Sequence, residues 1–267
     1  MVTFSAFALT VGSVTVSGPA SAAAINYVAL GDSYSSGTGA GGYDPGAGVC
    51  NRSAHAYPKK WAAANSPDSF KFVACSGATI PTVTSGQLSA LSSSTTLVSV
   101  TVGGNDAGFG KVMETCVLRS TASCKTAVGK AEGYMEDTLP GRLDTLYGAI
   151  RSKASSARVV VLGYPRLYLK NSEGCVGLNQ TKRGVLNGAA DTLNTSIEKA
   201  VARAGFVFSD VRDEFSGHEL CSGDGWLNSV TWPLGDSYHP TARGHADGYL
   251  PALKSAARRS LAVKRDA

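Results

Sequence analysis

A serine, a histidine, a carboxylate and several small hydrogen-bond donors stand where runs of β-like sequence end. Ser33 lies in Gly31-Asp32-Ser33-Tyr34-Ser35, after the apolar run Tyr27 to Leu30. Cys75-Ser76-Gly77 follows Phe70 to Ala74, and Gly103-Gly104-Asn105-Asp106 follows Leu97 to Val102. Asp236-Ser237-Tyr238-His239-Pro240 stands just before the last helical stretch. A hydroxyl becomes a useful nucleophile when an imidazole takes its proton, and a third group can fix the imidazole's tautomer. Asp236, three residues before His239, is one candidate for that third group, and the backbone carbonyl of Ser237 is its rival. Acyl transfer also needs donors of little bulk around the developing oxyanion. The N–H of Ser33 at a strand-to-helix switch, the N–H of Gly77 and the side-chain amide of Asn105 suit that need. Each cluster alone reads equally well as a turn, because Gly, Asp, Ser and Asn are turn residues. Their order, and their common position after β-runs, single them out.

For distant clusters to meet, the elements between them must bring strand ends together. Five β-like runs are rich in Val, Phe and Leu and bounded by turn residues: Asn26–Leu30, Phe70–Ala74, Leu97–Val102, Arg158–Leu162 and Phe206–Asp210. Helix-like stretches cover Tyr57–Ala64, Leu139–Ala154, Val185–Ala204 and Thr241–Leu261. Leu139, Leu143, Leu146, Ile150 and Ala154 share one helical face, as do Leu186, Ala189, Leu193, Ile197 and Val201. Strands alternating with helices imply an α/β fold with a parallel sheet covered on both faces. In such a sheet the crevice for ligands lies beyond the carboxyl ends of the strands, where the polar clusters stand. Gly37 to Gly48 reads as a long surface loop, and no repeat or linker divides the chain.

The chain has 267 residues, 43% of them hydrophobic, which suits one large domain. Its net charge of +5 is unevenly placed: no Lys or Arg precedes Arg52, and Lys254, Arg258, Arg259, Lys264 and Arg265 close the chain. The basic residues lack the clustered stripe with interleaved aromatics of a nucleic-acid surface, so no nucleic-acid partner is expected. Residues 1–23 are apolar and almost uncharged, and small residues from Ser17 to Ala24 resemble a signal-peptidase site, although a positively charged start is missing. Phe4 to Val16 is too short to span a membrane well. We read 1–23 as a signal peptide and 24–267 as a single domain of a secreted monomer with no stable membrane anchor. Cys50, Cys75, Cys116, Cys124, Cys175 and Cys221 are even in number, which in an exported chain implies disulfides. Fifteen pairings are possible, and sequential pairing is the simplest. The cysteine spacing lacks the paired C-x-x-C units of a zinc site, and no metal or cofactor is expected. His55, His218 and His245 have no neighbourhood like that of His239 and read as structural or solvent-exposed.

Other functions leave weaker marks. A G-x-S-x-G elbow is absent. Gly37-x-Gly39-x-x-Gly42 lies too far after its strand for a dinucleotide site, and no acidic residue stands about 20 positions on. A non-catalytic surface- or carbohydrate-binding protein could use Trp61, Trp226 and Trp232 if they were exposed. Taken together, Gly31-Asp32-Ser33, Gly77, Gly103-Gly104-Asn105-Asp106 and Asp236-x-x-His239 resemble, in order, the four blocks of the GDSL, or SGNH, hydrolase superfamily. Gly31-Asp32-Ser33-Tyr34-Ser35-Ser36-Gly37 and the six cysteines most resemble its secreted actinobacterial lipase and esterase branch. The resemblance runs from about Ile25 to Leu261. It implies Ser33 as nucleophile, His239 as general base, and an oxyanion hole of the Ser33 and Gly77 N–H groups with the Asn105 side chain. It implies a three-layer α/β/α sandwich, flavodoxin-like, with five parallel strands in the order 2-1-3-4-5. The implied substrate is an ester or lipid, hydrolysed through an acyl-serine; lipase, phospholipase A, esterase and polysaccharide deacetylase activities all use such a site. In some members of that branch a carbonyl replaces the aspartate behind the histidine. Tyr34 departs from the leucine of the family name and should tune the pocket. No amphipathic lid is evident, so strong interfacial activation is not expected.

Overall fold

The computed structural model describes residues 1–2, 24–172, 175 and 177–263, with side chains described only as far as 258 in the last helix; the signal-like segment 3–23 lies outside them. In chain order the elements are β1 (Asn26–Gly31), α1 (Ser33–Ser36), α2 (Tyr57–Asn65), β2 (Ser69–Phe72), α3 (Ile80–Thr82), β3 (Leu97–Thr101), α4 (Phe109–Leu118), α5 (Thr121–Asp137), α6 (Leu139–Lys153), β4 (Arg158–Leu162), α7 (Gln180–Arg203), β5 (Val207–Ser209) and α8 (Leu250–Val263).

The strands form one parallel sheet in the order β2-β1-β3-β4-β5. Tyr27 pairs with Phe70 on one side and Leu97 on the other, Val98 with Val159, and Val161 with Phe208. Every residue of β3 is buried, and β1 and β4 are buried after their first residue. A parallel sheet covered on both faces demands such near-continuous apolar strands. α2 packs with α8, which lies along β4 and β5, while α4, α5, α6 and α7 pack against one another. The result is a three-layer α/β/α sandwich. The apolar stripes legible in the sequence face inward: Leu139, Leu143, Leu146 and Ile150 on α6, and Leu186, Leu193, Ile197 and Val201 on α7, are buried.

Some elements differ from the sequence reading. α4 and α5 form a stretch for which no helix was expected. The buried stripe of α5 is Cys124, Val128, Ala131 and Met135, correctly spaced but built largely of small residues and interrupted by Gly129 and Gly133. α7 begins at Gln180, upstream of the expected Val185, because the Asn179 side chain accepts the Lys182 N–H at 3.0 Å and caps the helix there. The last helical stretch opens with a π turn over Gly244–Tyr249. Gly37 to Gly48 is less of a surface loop than expected: Thr38, Ala40 and Ala47 are buried, and Pro45–Cys50 form a 3₁₀ turn.

The cysteines pair sequentially, Cys50 with Cys75, Cys116 with Cys124 and Cys175 with Cys221. Cys75 stands two residues before Gly77, so its bridge tethers a turn at the sheet's carboxyl edge. Its partners are separated by 25 residues. Closing a loop of that size removes entropy from the unfolded chain. Replacing both Cys50 and Cys75 with serine should therefore lower unfolding free energy by roughly 3 kcal/mol, read from urea midpoints.

Candidate active site

The position of Ser33 follows from a close approach of two strands. β1 ends at Gly31, whose φ is +123° and where a Cβ would lie 2.4 Å from the Thr101 carbonyl oxygen of β3; only glycine fits. Gln87 grips the same residue from the side, accepting the Gly31 N–H at 2.8 Å and donating to its carbonyl at 2.9 Å. Asp32 then caps α1 by accepting the Tyr34 N–H at 3.0 Å. Ser33 is the first residue of this single helical turn and is almost fully buried.

His239 reaches Ser33 from the far end of the sequence. Its Nε2 lies 2.8 Å from Ser33 Oγ, and its Nδ1 lies 3.0 Å from the Ser237 carbonyl oxygen. A carbonyl only accepts, so Nδ1 carries the proton and Nε2 is the bare nitrogen that accepts from the serine hydroxyl. The rival of Asp236 thus holds the ring. The Asp236 carboxylate accepts the Tyr43 hydroxyl at 2.8 Å instead, and Tyr43 in turn accepts the Gly39 N–H at 2.8 Å. The reason lies in the local backbone. Leu234–Asp236 form a 3₁₀ turn that sends the carboxylate toward Tyr43, and Tyr238 adopts a left-handed φ of +64°. That reversal folds the Ser237 carbonyl back onto the ring two residues later. A left-handed non-glycine residue costs on the order of 1–3 kcal/mol and needs support. Tyr238 donates to the Asn228 carbonyl at 2.9 Å, and Asn228 donates to that of His239 at 2.9 Å. Packing around the ring pushes the His239 pKa down to about 4, against the opposing effects of the Ser237 carbonyl and the Asp236 charge.

Ser33 and Asn105 line one pocket, and the Cys75 N–H donates to the Gly31 carbonyl at 3.0 Å, which brings the turn of Gly77 to the end of β1. Ser33 N–H opens α1, and Gly77 sits in an exposed turn at φ +77°. Among the described residues neither N–H donates to an acceptor. The Asn105 amide gives one N–H to the Ala78 carbonyl at 2.9 Å, which fixes it beside the Gly77 turn and leaves its second N–H uncommitted. Asp106 accepts the Ile80 N–H with both oxygens, at 3.1 and 3.0 Å, and binds the two clusters together.

Residues outside the sequence reading complete the frame. Tyr164, two residues past β4, donates its hydroxyl to Asp32 at 2.5 Å and accepts the Gly104 N–H at 3.0 Å. Burial pushes the Asp32 carboxyl up to about 7, opposed by the bonds from Tyr164 and the Tyr34 N–H. Gly163-Tyr164-Pro165 places turn-prone residues after a β-run, the same sequence signal that marks the other clusters; Gln87 and Tyr43 carry no such signal. An apolar pocket opens at Ser33 and Asn105 and runs between α4, α5 and α7, walled by Val112, Met135, Leu167, Leu186 and Leu193. The tryptophans do not form a binding face. Trp61 and Trp226 are buried, contrary to the exposure that a binding role needs, and Trp232 alone of the three is exposed. His245 is fully buried, and His218 stacks on Trp226 at 3.7 Å. Among the described residues no cluster of three His, Cys, Asp or Glu could hold a metal ion, and no helix is long and apolar enough to cross a membrane.

The family described as GDSL-like lipase/acylhydrolase matches residues 29–246. Lipase 1 of Streptomyces coelicolor is 56% identical over 247 residues, covering 92% of each chain. The crystal structure of phospholipase A1 from Streptomyces albidoflavus superposes with a TM-score of 0.86 at 57% identity, covering 88% of this chain and 100% of that one. The extracellular lipase of Streptomyces rimosus gives a TM-score of 0.86 at 52% identity, covering 87% of this chain and all of its own.

Two outcomes follow from the held imidazole. With a carbonyl rather than a carboxylate behind the ring, Asp236→Asn should lower kcat on an activated ester by less than about tenfold; a loss near 10⁴-fold would return the carboxylate to the ring. A base must be neutral, and the His239 pKa is depressed to about 4. Activity should therefore persist as pH falls through 6 and disappear only as the ring protonates near that value. A kcat/KM profile with its acid midpoint at 6.5 would contradict this.

Proposed function

Because this chain belongs to the GDSL-like lipase/acylhydrolase family, we propose that Ser33 and His239 hydrolyse lipid esters through an acyl-Ser33 intermediate. The enzyme is a carboxylic-ester hydrolase. The 2.8 Å contact between the bare Nε2 of His239 and Ser33 Oγ carries the reading. As Oγ attacks the ester carbonyl carbon, Nε2 takes its proton and the carbonyl oxygen becomes an oxyanion. Ser33 N–H, Gly77 N–H and the free N–H of Asn105 receive that charge. The imidazolium, steadied by the Ser237 carbonyl, returns its proton to the departing alcohol. Water, deprotonated by the same nitrogen, then releases the acid and restores Ser33.

The pocket beyond Ser33 supports a medium or long acyl chain. Its walls are aliphatic side chains that an acetyl group would leave unfilled, so polysaccharide deacetylation is disfavoured. A phospholipid acyl ester is the second reading, favoured by the likeness to phospholipase A1 of Streptomyces albidoflavus. A non-catalytic binder would not need a serine hydroxyl aligned on a tautomer-fixed imidazole. We further read the enzyme as secreted, with 1–23 as a cleaved signal and 24–267 as one hydrolase domain. The disulfides and the likeness to an extracellular lipase support this. The site draws on one chain, which suits a monomer.

Ser33→Ala and His239→Ala should each lower kcat by about 10⁴-fold without unfolding the chain, and Ser33→Ala should abolish fluorophosphonate labelling. Full activity in either variant would overturn the assignment. Ala189→Trp, which narrows the pocket, should lower kcat/KM for a dodecanoyl ester relative to a butanoyl ester by about tenfold or more. An unchanged ratio would place the acyl chain elsewhere.

A further inference from the structure

We propose that Tyr34 is a positioning residue for the general base: its hydroxyl holds the left-handed Tyr238 peptide that aims His239 at Ser33. The inference rests on the reading of Ser33 and His239 as nucleophile and base. Tyr34 follows the serine directly and is buried. Its N–H donates to Asp32, its ring meets Tyr164 edge-on with centroids 5.0 Å apart, and it lies 5.3 Å from the His239 ring. The hydroxyl donates to the Tyr238 carbonyl oxygen at 2.7 Å, across 204 positions of sequence. Among the described residues no other donor lies on that carbonyl. Burial keeps the phenol protonated, so the donor is always available.

The bond falls where the backbone is least content. Among the described residues Tyr238 is one of five non-glycine residues with positive φ. Its backbone angles set how the peptide that carries the Ser237 carbonyl, anchored through the Tyr238 N–H, stands to the next peptide, whose carbonyl Tyr34 holds. Relaxation toward an extended conformation would draw the Ser237 carbonyl away from Nδ1 and free the ring to turn. The Tyr238 N–H is held by Asn228, which secures one side of the residue; Tyr34 secures the other. A leucine at position 34 would be smaller and donate nothing. One side chain therefore ties the helix of the nucleophile to the turn of the base, and an error in their separation is felt directly in proton transfer.

Tyr34→Phe removes the hydroxyl and keeps the ring. It should lower kcat on p-nitrophenyl butyrate by about tenfold with KM within about twofold of the parent, and slow fluorophosphonate inactivation in the same proportion. Tyr34→Leu should lose at least as much. The measurements are made well below the melting temperature of each variant, so a purely structural role would leave kcat unmoved. A Phe variant with kcat within about twofold of the parent overturns the inference, whatever its melting temperature. A loss carried in KM also overturns it, since the hydroxyl would then be a substrate contact. An inactive parent, or an active Ser33→Ala, overturns the reading beneath it and is distinguishable from either result.

Discussion

The Tyr164 hydroxyl donates to Asp32 at 2.5 Å and accepts from the Gly104 N–H at 3.0 Å, so one oxygen joins the ends of β1, β3 and β4. A buried carboxylate without partners would be costly, and this one has two donors, the Tyr164 hydroxyl and the Tyr34 N–H. Through the second of these it caps the turn that presents Ser33. The geometry of Ser33, the proposed nucleophile, is therefore set by the sheet and not by a loop: Gly31 is locked between Thr101 and Gln87, and Asp32 is locked between Tyr164 and α1. The histidine side is built differently. Its segment belongs to no strand of the sheet; an antiparallel backbone bridge to Leu227 and Asn228 holds it, with Tyr34 on the Tyr238 carbonyl and Tyr43 on Asp236. A rigid half presents the hydroxyl, and a pinned half presents the ring.

A carbonyl behind the imidazole has chemical consequences. It fixes the tautomer as well as a carboxylate does, but it offers a dipole in place of a full charge. In the proposed mechanism the imidazolium is correspondingly less stabilised, and the resting ring is held neutral. The low pKa of His239 comes from desolvation of the ring, while the absence of a carboxylate on its Nδ1 comes from the backbone reversal at Tyr238.

How much of this was legible follows from which interactions are local. Strand runs and their terminal Gly, Ser and Asn stand next to one another in sequence, and Asp236-x-x-His239 stands just before the last helical stretch, so the parallel sheet and the meeting of Ser33 with His239 could be read from pattern. The choice between Asp236 and Ser237 could not, because it depends on the sign of one backbone angle at Tyr238. Gln87 and Tyr43 were invisible for another reason: Gln87 acts on Gly31 and Tyr43 on Asp236, both far away in sequence, and neither stands at the end of a β-run. The helix α5 escaped because its buried face relies on Cys124 and Ala131, which carry little hydrophobic signal; α4 is short and buries only Val112, Met113 and Cys116.

The pocket walls come mainly from α4, α5 and α7, whereas the reacting groups come from the strand ends and the His239 turn. Met135, Leu186 and Leu193 make none of the hydrogen bonds that align Ser33, Asn105 and His239. On the proposed reading, the chain separates what it cuts from how it cuts. Substitutions along the helical wall would then be free to accumulate under selection for a new acyl group while the reaction itself stays intact. A scaffold divided in this way can diversify its diet with little risk to its chemistry.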